Sequence, residues 1–138
     1  RQMCKETAVA LLQEADIVCE AFDNPEAKAM LTNLVLEQFP QKYFVAGSGM
    51  AGFGDPNMIR TRKLTEHFYL CGDGCSDVAD GVGLVASRVM ICAAHQAHTI
   101  LRILAKDNRQ QTKRLTTQRK EAAGQDQTLV SQRKEAAK

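Results

Sequence analysis

Asp23 and Asn24 are the residues whose types and positions point most directly to chemistry. They end a short apolar run, residues 16–22, that has the composition of a parallel strand covered on both faces. Open α/β sheets bind ligands outside the carboxyl ends of such strands. A carboxylate there could orient Mg²⁺ on a triphosphate, and a helix beginning at Pro25 would favour an anion at its N-terminus. The alternative is that Asn24 simply caps that helix.

A glycine-rich segment follows the next predicted strand. Residues 47–52, with the sequence Gly-Ser-Gly-Met-Ala-Gly, match the pattern G-x-G-x-x-G. A dinucleotide-binding fingerprint also requires a helix that begins at the third glycine and an acidic residue about 20 positions further on. Gly54, Asp55 and Pro56 follow instead, and then a strand-like stretch. We interpret these glycines as a flexible turn and disfavour a dinucleotide-binding oxidoreductase.

Cys71 and Cys75 lie four residues apart beside glycines at the end of a predicted strand. A thiolate at such a position would be accessible, so the two form a possible reactive pair. Inert thiols are the alternative, because no base or cationic neighbour is evident. A structural zinc site needs four ligands, and the chain offers no second cysteine pair, so we predict no zinc.

A loop rich in glycine and aspartate contains Asp73, Asp77 and Asp80, which invites comparison with a calcium loop. Counting from Asp73, the bidentate glutamate of position twelve would have to be Leu84. The sequence therefore predicts a solvated acidic loop.

Positioning these residues requires an alternation of strands and helices. Hydrophobic periodicity predicts three helices, over residues 3–14, from Pro25 to the residue before Pro40, and over 87–105. It also predicts four strands, over residues 16–22, 42–46, 58–64 and 67–71. The last two strands are predicted as antiparallel additions to a parallel pair. The expected fold is a Rossmann-like α/β domain with a partial, mostly parallel sheet and flanking helices. The last helix is predicted to be well buried, with Val89, Ala93, Ala97, Ile100, Leu101 and Leu104 facing inward.

Charge divides the chain into a body, residues 1–105, and a tail, residues 106–138. The body carries nine Lys/Arg against twelve Asp/Glu, and the tail carries nine against four. The tail repeats Gln-Arg-Lys-Glu-Ala-Ala after fourteen residues, but Leu115, Leu129 and Val130 make a thin apolar seam for a coiled coil. We predict a basic helical or disordered tail. Nucleic-acid binding is disfavoured, because no aromatic residue is interleaved for base stacking.

Length and composition set the class of protein. The 138 residues, 44% of them hydrophobic, suit one compact domain, and no apolar run approaches the 18 to 20 residues of a membrane span. Five cysteines form no even disulfide framework. These features predict a cytoplasmic protein with reduced thiols and no membrane contact.

Four segments together resemble one enzyme family. They are residues 20–31 (EAFDNPEAKAML), 48–54 (SGMAGFG), 68–74 (FYLCGDG) and 88–97. The chain resembles the compact ThiF-type enzymes of thiamine biosynthesis, which are relatives of the ubiquitin-activating enzymes, over about residues 7–105. The family pattern does not account for the basic tail. Ser87 occupies a position at which the family pattern has proline.

The resemblance implies an adenylation reaction. Such enzymes activate the carboxy-terminal glycine of a ubiquitin-like sulfur carrier protein with ATP and Mg²⁺. By the family pattern, Asp23 would be the catalytic residue of this chain and would meet the Mg²⁺ through ATP, with Asn24 and Lys28 completing the cofactor-binding set. Cys71 or Cys75 would be the candidates for sulfur transfer.

The resemblance also places part of the family's site outside these 138 residues. The phosphate loop, the ribose-binding acid and the catalytic basic residues belong to an amino-terminal half that would precede Arg1. The resemblance therefore predicts the carboxy-terminal part of an adenylyltransferase, inactive as an isolated chain. The alternative is a non-catalytic protein-binding or oligomerisation module. Because relatives in the family dimerise and a truncated sheet exposes an edge strand, we expect a homo-oligomer.

Overall fold

The computed structural model describes residues 5–136, with side chains described for residues 6–119, and shows an α/β protein. Its described elements, in chain order, are α1 (Lys5–Gln13), β1 (Ile17–Cys19), α2 (Pro25–Gln38), β2 (Tyr43–Gly47), β3 (Arg60–Lys63), β4 (Phe68–Gly72) and α3 (Ala86–Ala136), with short 3₁₀ turns at Pro56–Met58 and Val78–Asp80. Arg1–Leu101 form one compact unit and Arg102–Lys138 a second. No helix in the described part of the chain is long and apolar enough to cross a membrane.

The four strands form one sheet in the order β1-β2-β4-β3. β2 runs parallel to both β1 and β4, whereas β3 pairs antiparallel with β4. The sheet is therefore mixed, and the prediction of a mostly parallel sheet was wrong. The antiparallel pairing of β3 with β4 agrees with the short connection over residues 64–67, because two strands joined so closely can pair only as a hairpin. The prediction of β4 as an antiparallel addition to the parallel pair was wrong, because β4 lies beside β2 and runs parallel to it. The hairpin places the exposed basic residues of β3 at the sheet edge, where they discourage pairing with a foreign strand.

The β1-α2-β2 unit has the predicted parallel pair, and α2 begins as its sequence predicts. The Asn24 side chain accepts a hydrogen bond of 2.8 Å from the backbone N–H of Ala27, and Pro25 occupies the first turn. A proline there sacrifices no helical hydrogen bond, since that N–H has no partner within the helix. The Phe39 N–H donates to Val35 O at the other end, and Pro40 follows.

The hydrophobic core lies between α1, α2 and the sheet. Its buried members are Ala8, Leu12, Val18, Leu31, Leu34, Val35, Phe39, Phe44 and Ala46. Phe44 also meets Phe68 across β2 and β4, with ring centroids 5.0 Å apart. The core thus holds α1 and α2 on the sheet and fixes where the parallel strands end.

The orientation of α3 differs from the prediction. Leu101 and Leu104, which were expected to face inward, are 63% and 45% exposed, and Ala93 and Ala97 are exposed as well. The buried residues of the helix are Arg88, Cys92, Gln96, Thr99 and Ile103. Four of these five, all except Ile103, carry a polar or thiol group, and each of the four makes at least one hydrogen bond, which offsets part of the cost of burial. The helix also continues to Ala136, so the described tail is helical.

We expect Leu34 to dominate the stability that α2 contributes. Replacing this fully buried leucine by alanine should lower the free energy of unfolding by about 2–5 kcal/mol, because it leaves a cavity in the core. Leu36→Ala is the matched control in the same helix, since Leu36 is 42% exposed and should cost less than about 1 kcal/mol. Urea denaturation measures both, and equal losses would contradict the core described above.

Candidate functional site

The carboxyl ends of β1, β2 and β4 lie on one edge of the sheet, since these strands are parallel. Asp23 follows β1 at this edge and is exposed. Its carboxylate makes no hydrogen bond or ion pair with any residue that the structure describes. Asn24 is exposed too, but its side-chain oxygen is engaged as the cap of α2. Of the predicted site residues in this loop, Asp23 is therefore the one whose carboxylate remains available to a ligand.

Lys28 is engaged within the fold. Its ammonium donates 2.7 Å hydrogen bonds to Glu20 Oε2 and to Gly47 O, which joins α2 to the ends of β1 and β2. Glu20 is 1% exposed, and its other carboxylate oxygen accepts from Phe22 N at 2.6 Å. Gln96 of α3 donates to Glu20 O at 2.8 Å. This first clamp fixes the loop that carries Asp23 and leaves one N–H of the Lys28 ammonium for a ligand oxygen.

A second clamp joins α3 to the loops that follow β2 and β4. Arg88 Nη2 donates to Asp73 Oδ2 at 2.5 Å, and both side chains are at most 6% exposed. Arg88 Nη1 donates to the carbonyl oxygens of Gly54 and Asp55 at 2.6 and 3.1 Å. One guanidinium therefore holds both loops at the site edge.

The Asp73 carboxylate is held in its charged form. Burial on its own would raise the pKa of Asp73, but four hydrogen bonds oppose it: those from the backbone N–H groups of Ser76 and Cys75, from the Ser76 hydroxyl and from Arg88. Together they hold the pKa well below its usual range. The two backbone bonds to Asp73 Oδ1 are each 2.9 Å long. Asp73 is consequently a structural anion.

The glycine-rich segment allows two backbones to approach closely. Asp73 N donates to Gly49 O at 2.9 Å, and Gly74 N donates to Ser48 O at 3.2 Å. Gly72 has a φ of 136°, and a Cβ atom there would lie 1.7 Å from Ser48 O. The chain then forms the Pro56–Met58 turn and β3, so no helix begins at Gly52. These glycines form a turn, as predicted.

The two predicted reactive cysteines differ in accessibility. Cys75 is exposed, as expected, but Cys71 is fully buried, and the prediction of an accessible thiol there was wrong. Burial raises the pKa of Cys71, although hydrogen bonds from Thr61 and Thr99 oppose the shift. Cys92 donates to Cys71 O at 3.4 Å, and burial raises its pKa to about 11. Both buried thiols are thereby kept protonated and weakly nucleophilic.

The acidic loop is ordered by its own side chains. Asp77 Oδ1 accepts from Ala79 N at 3.0 Å, and Asp80 Oδ2 accepts from Asp77 N at 3.3 Å, which caps the Val78–Asp80 turn. Asp73, the third member, is paired with Arg88. Among the residues whose placement is described, no group of three His, Cys, Asp or Glu could hold a metal ion.

Comparison of the chain with protein-family models, with curated proteins and with solved structures returned no match in any of the three. Residue types and geometry therefore carry the functional interpretation. They also identify two residues of the candidate site that the sequence pattern did not single out, Glu20 and Arg88. Each leaves one signal in the sequence, a charged residue within an otherwise apolar strand or helix segment.

We predict that Asp73→Asn lowers the free energy of unfolding at pH 7 by about 3 kcal/mol or more, because it leaves the buried Arg88 without a counter-charge. The folded pKa of Asp73 lies below its unfolded value. Its contribution is thus complete above the unfolded pKa of about 3.9 and is lost as the pH falls further. The difference in the free energy of unfolding between wild type and variant should therefore shrink below about pH 4. Urea denaturation at a series of pH values measures this difference.

Asp23→Asn provides the control, because this exposed carboxylate has no described partner and its loss should cost less than about 0.5 kcal/mol. If the free energies of unfolding of Asp73→Asn and wild type differed by the same amount from neutral to acid pH, the Asp73 charge would not be what stabilises the loops.

Proposed function

We propose that this chain is the carboxy-terminal part of an ATP-dependent adenylyltransferase of Rossmann-like fold that activates the terminal glycine of a ubiquitin-like sulfur carrier protein in thiamine biosynthesis. One observation carries the proposal. Asp23 presents an exposed carboxylate, without a described partner, at the carboxyl end of a parallel strand and next to the N-terminus of α2. Ligands of open α/β sheets bind at this edge.

The residues at this edge fit Mg-ATP. Magnesium is usually held by one or two carboxylates together with substrate phosphates, so a single exposed Asp23 is sufficient on the protein side. The metal ion would neutralise charge on the triphosphate. The N-terminus of α2 favours a nearby anion, and Lys28 keeps one N–H for an oxygen of the ligand.

In the proposed reaction, a carboxylate oxygen of the carrier's terminal glycine attacks the α-phosphorus of ATP. The bond from that phosphorus to the bridging oxygen breaks, pyrophosphate leaves, and an acyl-adenylate remains for sulfur chemistry to displace. The contribution of this chain is positioning, since the two clamps keep the loops around Asp23 in one arrangement.

The isolated chain is proposed to be catalytically inactive. By the resemblance, the phosphate loop and the catalytic basic residues belong to a segment that is not among these 138 residues. If the chain takes part in sulfur transfer, Cys75 is the candidate, because Cys71 is buried.

A non-catalytic binding or oligomerisation module is the second candidate. It is favoured by the apolar side chains that α3 exposes, among them Met90 at 70% and Leu101 at 63%. The two candidates are compatible, since a surface of that kind can assemble an enzyme as well as a scaffold.

Titration of Mg-ATP into the chain by calorimetry tests the proposed site. We expect weak, saturable binding that Asp23→Ala weakens by about tenfold or more, equivalent to about 1.4 kcal/mol. Glu26→Ala is the matched control, because Glu26 is also an exposed carboxylate, three residues away, and its loss should change the affinity less than about twofold.

Pyrophosphate exchange provides the second readout, and we expect none from the isolated chain. Absence of Mg-ATP binding by the folded protein, or equal effects of the two substitutions, would refute a nucleotide site at Asp23. Exchange activity of the isolated chain would refute the proposal that its catalytic machinery is incomplete.

A further inference from the structure

Large apolar side chains are exposed on the two loops that follow β2 and β4. We name these the β2 loop, residues 48–58, and the β4 loop, residues 73–85. Phe53 on the first is 84% exposed, and Val82 and Leu84 on the second are 43% and 56% exposed. These three side chains are named the loop patch. Single apolar side chains are ordinary on a protein surface, but a contiguous patch of them marks an interaction site.

The loop patch is contiguous because the two loops pair with each other. Ala51 forms a β-bridge with Leu84, and Gly52 N donates to Gly83 O at 2.9 Å. A Cβ atom at Gly52 would lie 3.1 Å from Val82 Cγ2, so this glycine lets the two loops meet. The paired residues include or adjoin every member of the patch, and the three exposed side chains therefore share one stretch of surface.

Three exposed carboxylates, those of Asp55, Asp77 and Asp80, accompany the loop patch. Asp55 and Asp80 each lie two residues from a member of the patch. All three accept hydrogen bonds from neutral donors of their own loops, and none forms an ion pair with a described residue. Neither loop contains Lys or Arg, and Arg62 of β3 lies against Gly74, at the end of the β4 loop remote from the patch. The surface thus combines exposed apolar side chains with negative charge.

We propose that the loop patch is the docking site for a partner protein whose contacting segment carries an apolar side chain flanked by Lys or Arg. The apolar side chain would leave water against the patch, which favours association. The cations would meet the three carboxylates, which chiefly sets orientation and selectivity. The same negative charge disfavours nucleic acid and anionic lipid, because both present negatively charged phosphates. The docking site does not depend on nucleotide binding at Asp23.

NMR titration of the isotopically labelled 138-residue chain with a model peptide tests this docking site. The peptide consists of leucine and lysine at helical spacing, and we expect saturable shifts at the amides of Phe53, Val82 and Leu84. Leu84→Gln should weaken binding by about tenfold, because it removes an apolar contact. Leu11→Gln is the matched control, since Leu11 is 66% exposed on α1, and it should change the dissociation constant less than about twofold.

A double substitution tests the charge. Asp77→Asn with Asp80→Asn keeps a side-chain oxygen that can cap the turn and removes only the negative charges. It should weaken binding of the leucine-lysine peptide by about threefold or more at low ionic strength, and by less as salt is added. Glu14→Gln with Glu37→Gln removes two exposed carboxylates from elsewhere in the same unit and should have little effect.

A second peptide, in which serine replaces every leucine, separates docking from charge attraction, and we expect it not to bind. Equal binding of both peptides, no saturable binding of the leucine-lysine peptide by the folded chain, or equal effects of Leu84→Gln and Leu11→Gln would overturn the proposal. Shifts at the patch amides that follow the concentration of the chain alone, without peptide, would overturn a partner protein as the occupant, since a second copy would then cover the patch.

Discussion

The buried ion pair between Asp73 and Arg88 is the interaction on which the candidate site depends. Taking two charges out of water is costly, and the cost is offset only where further hydrogen bonds complete the geometry. Here the Asp73 carboxylate also accepts bonds from two backbone N–H groups, and the Arg88 guanidinium also donates to two carbonyl oxygens. These bonds lie in the loops after β2 and β4. The pair therefore fixes the two loops and the start of α3 together.

The same constraint explains the unusual orientation of α3. Arg88 must face inward to meet Asp73, and Gln96, two turns later on the same side, must face inward to meet Glu20 O. Once these polar residues set the buried face, the apolar residues around Leu101 are turned outward. The inward orientation of Arg88 and Gln96 thus explains both the polar clamps at the site and the exposed apolar side chains of α3.

Local features of the fold could be predicted from the sequence, and long-range ones could not. The cap at Asn24 and the start of α2 at Pro25 depend on neighbouring residues, and the parallel strand pair depends on the single crossover through α2; the structure contains all three. The inward face of α3 was predicted wrongly, because apolar periodicity assigns Leu101 to the core whenever the partners of the polar residues are unknown. Those partners are far away in the chain, 15 residues for Arg88 and 76 for Gln96.

Hydrogen exchange of single backbone amides in Arg88→Leu tests most directly whether this ion pair holds the site loops. The diagnostic amides are those of Asp73, Gly74 and Gly52, which bridge the two loops through Gly49 O, Ser48 O and Gly83 O. These three amides should lose protection in the variant, while amides of α2, such as that of Leu34, keep protection set by global unfolding. Loop amides as well protected in the variant as in the wild type would contradict the account, since the loops would then be held by something other than Arg88.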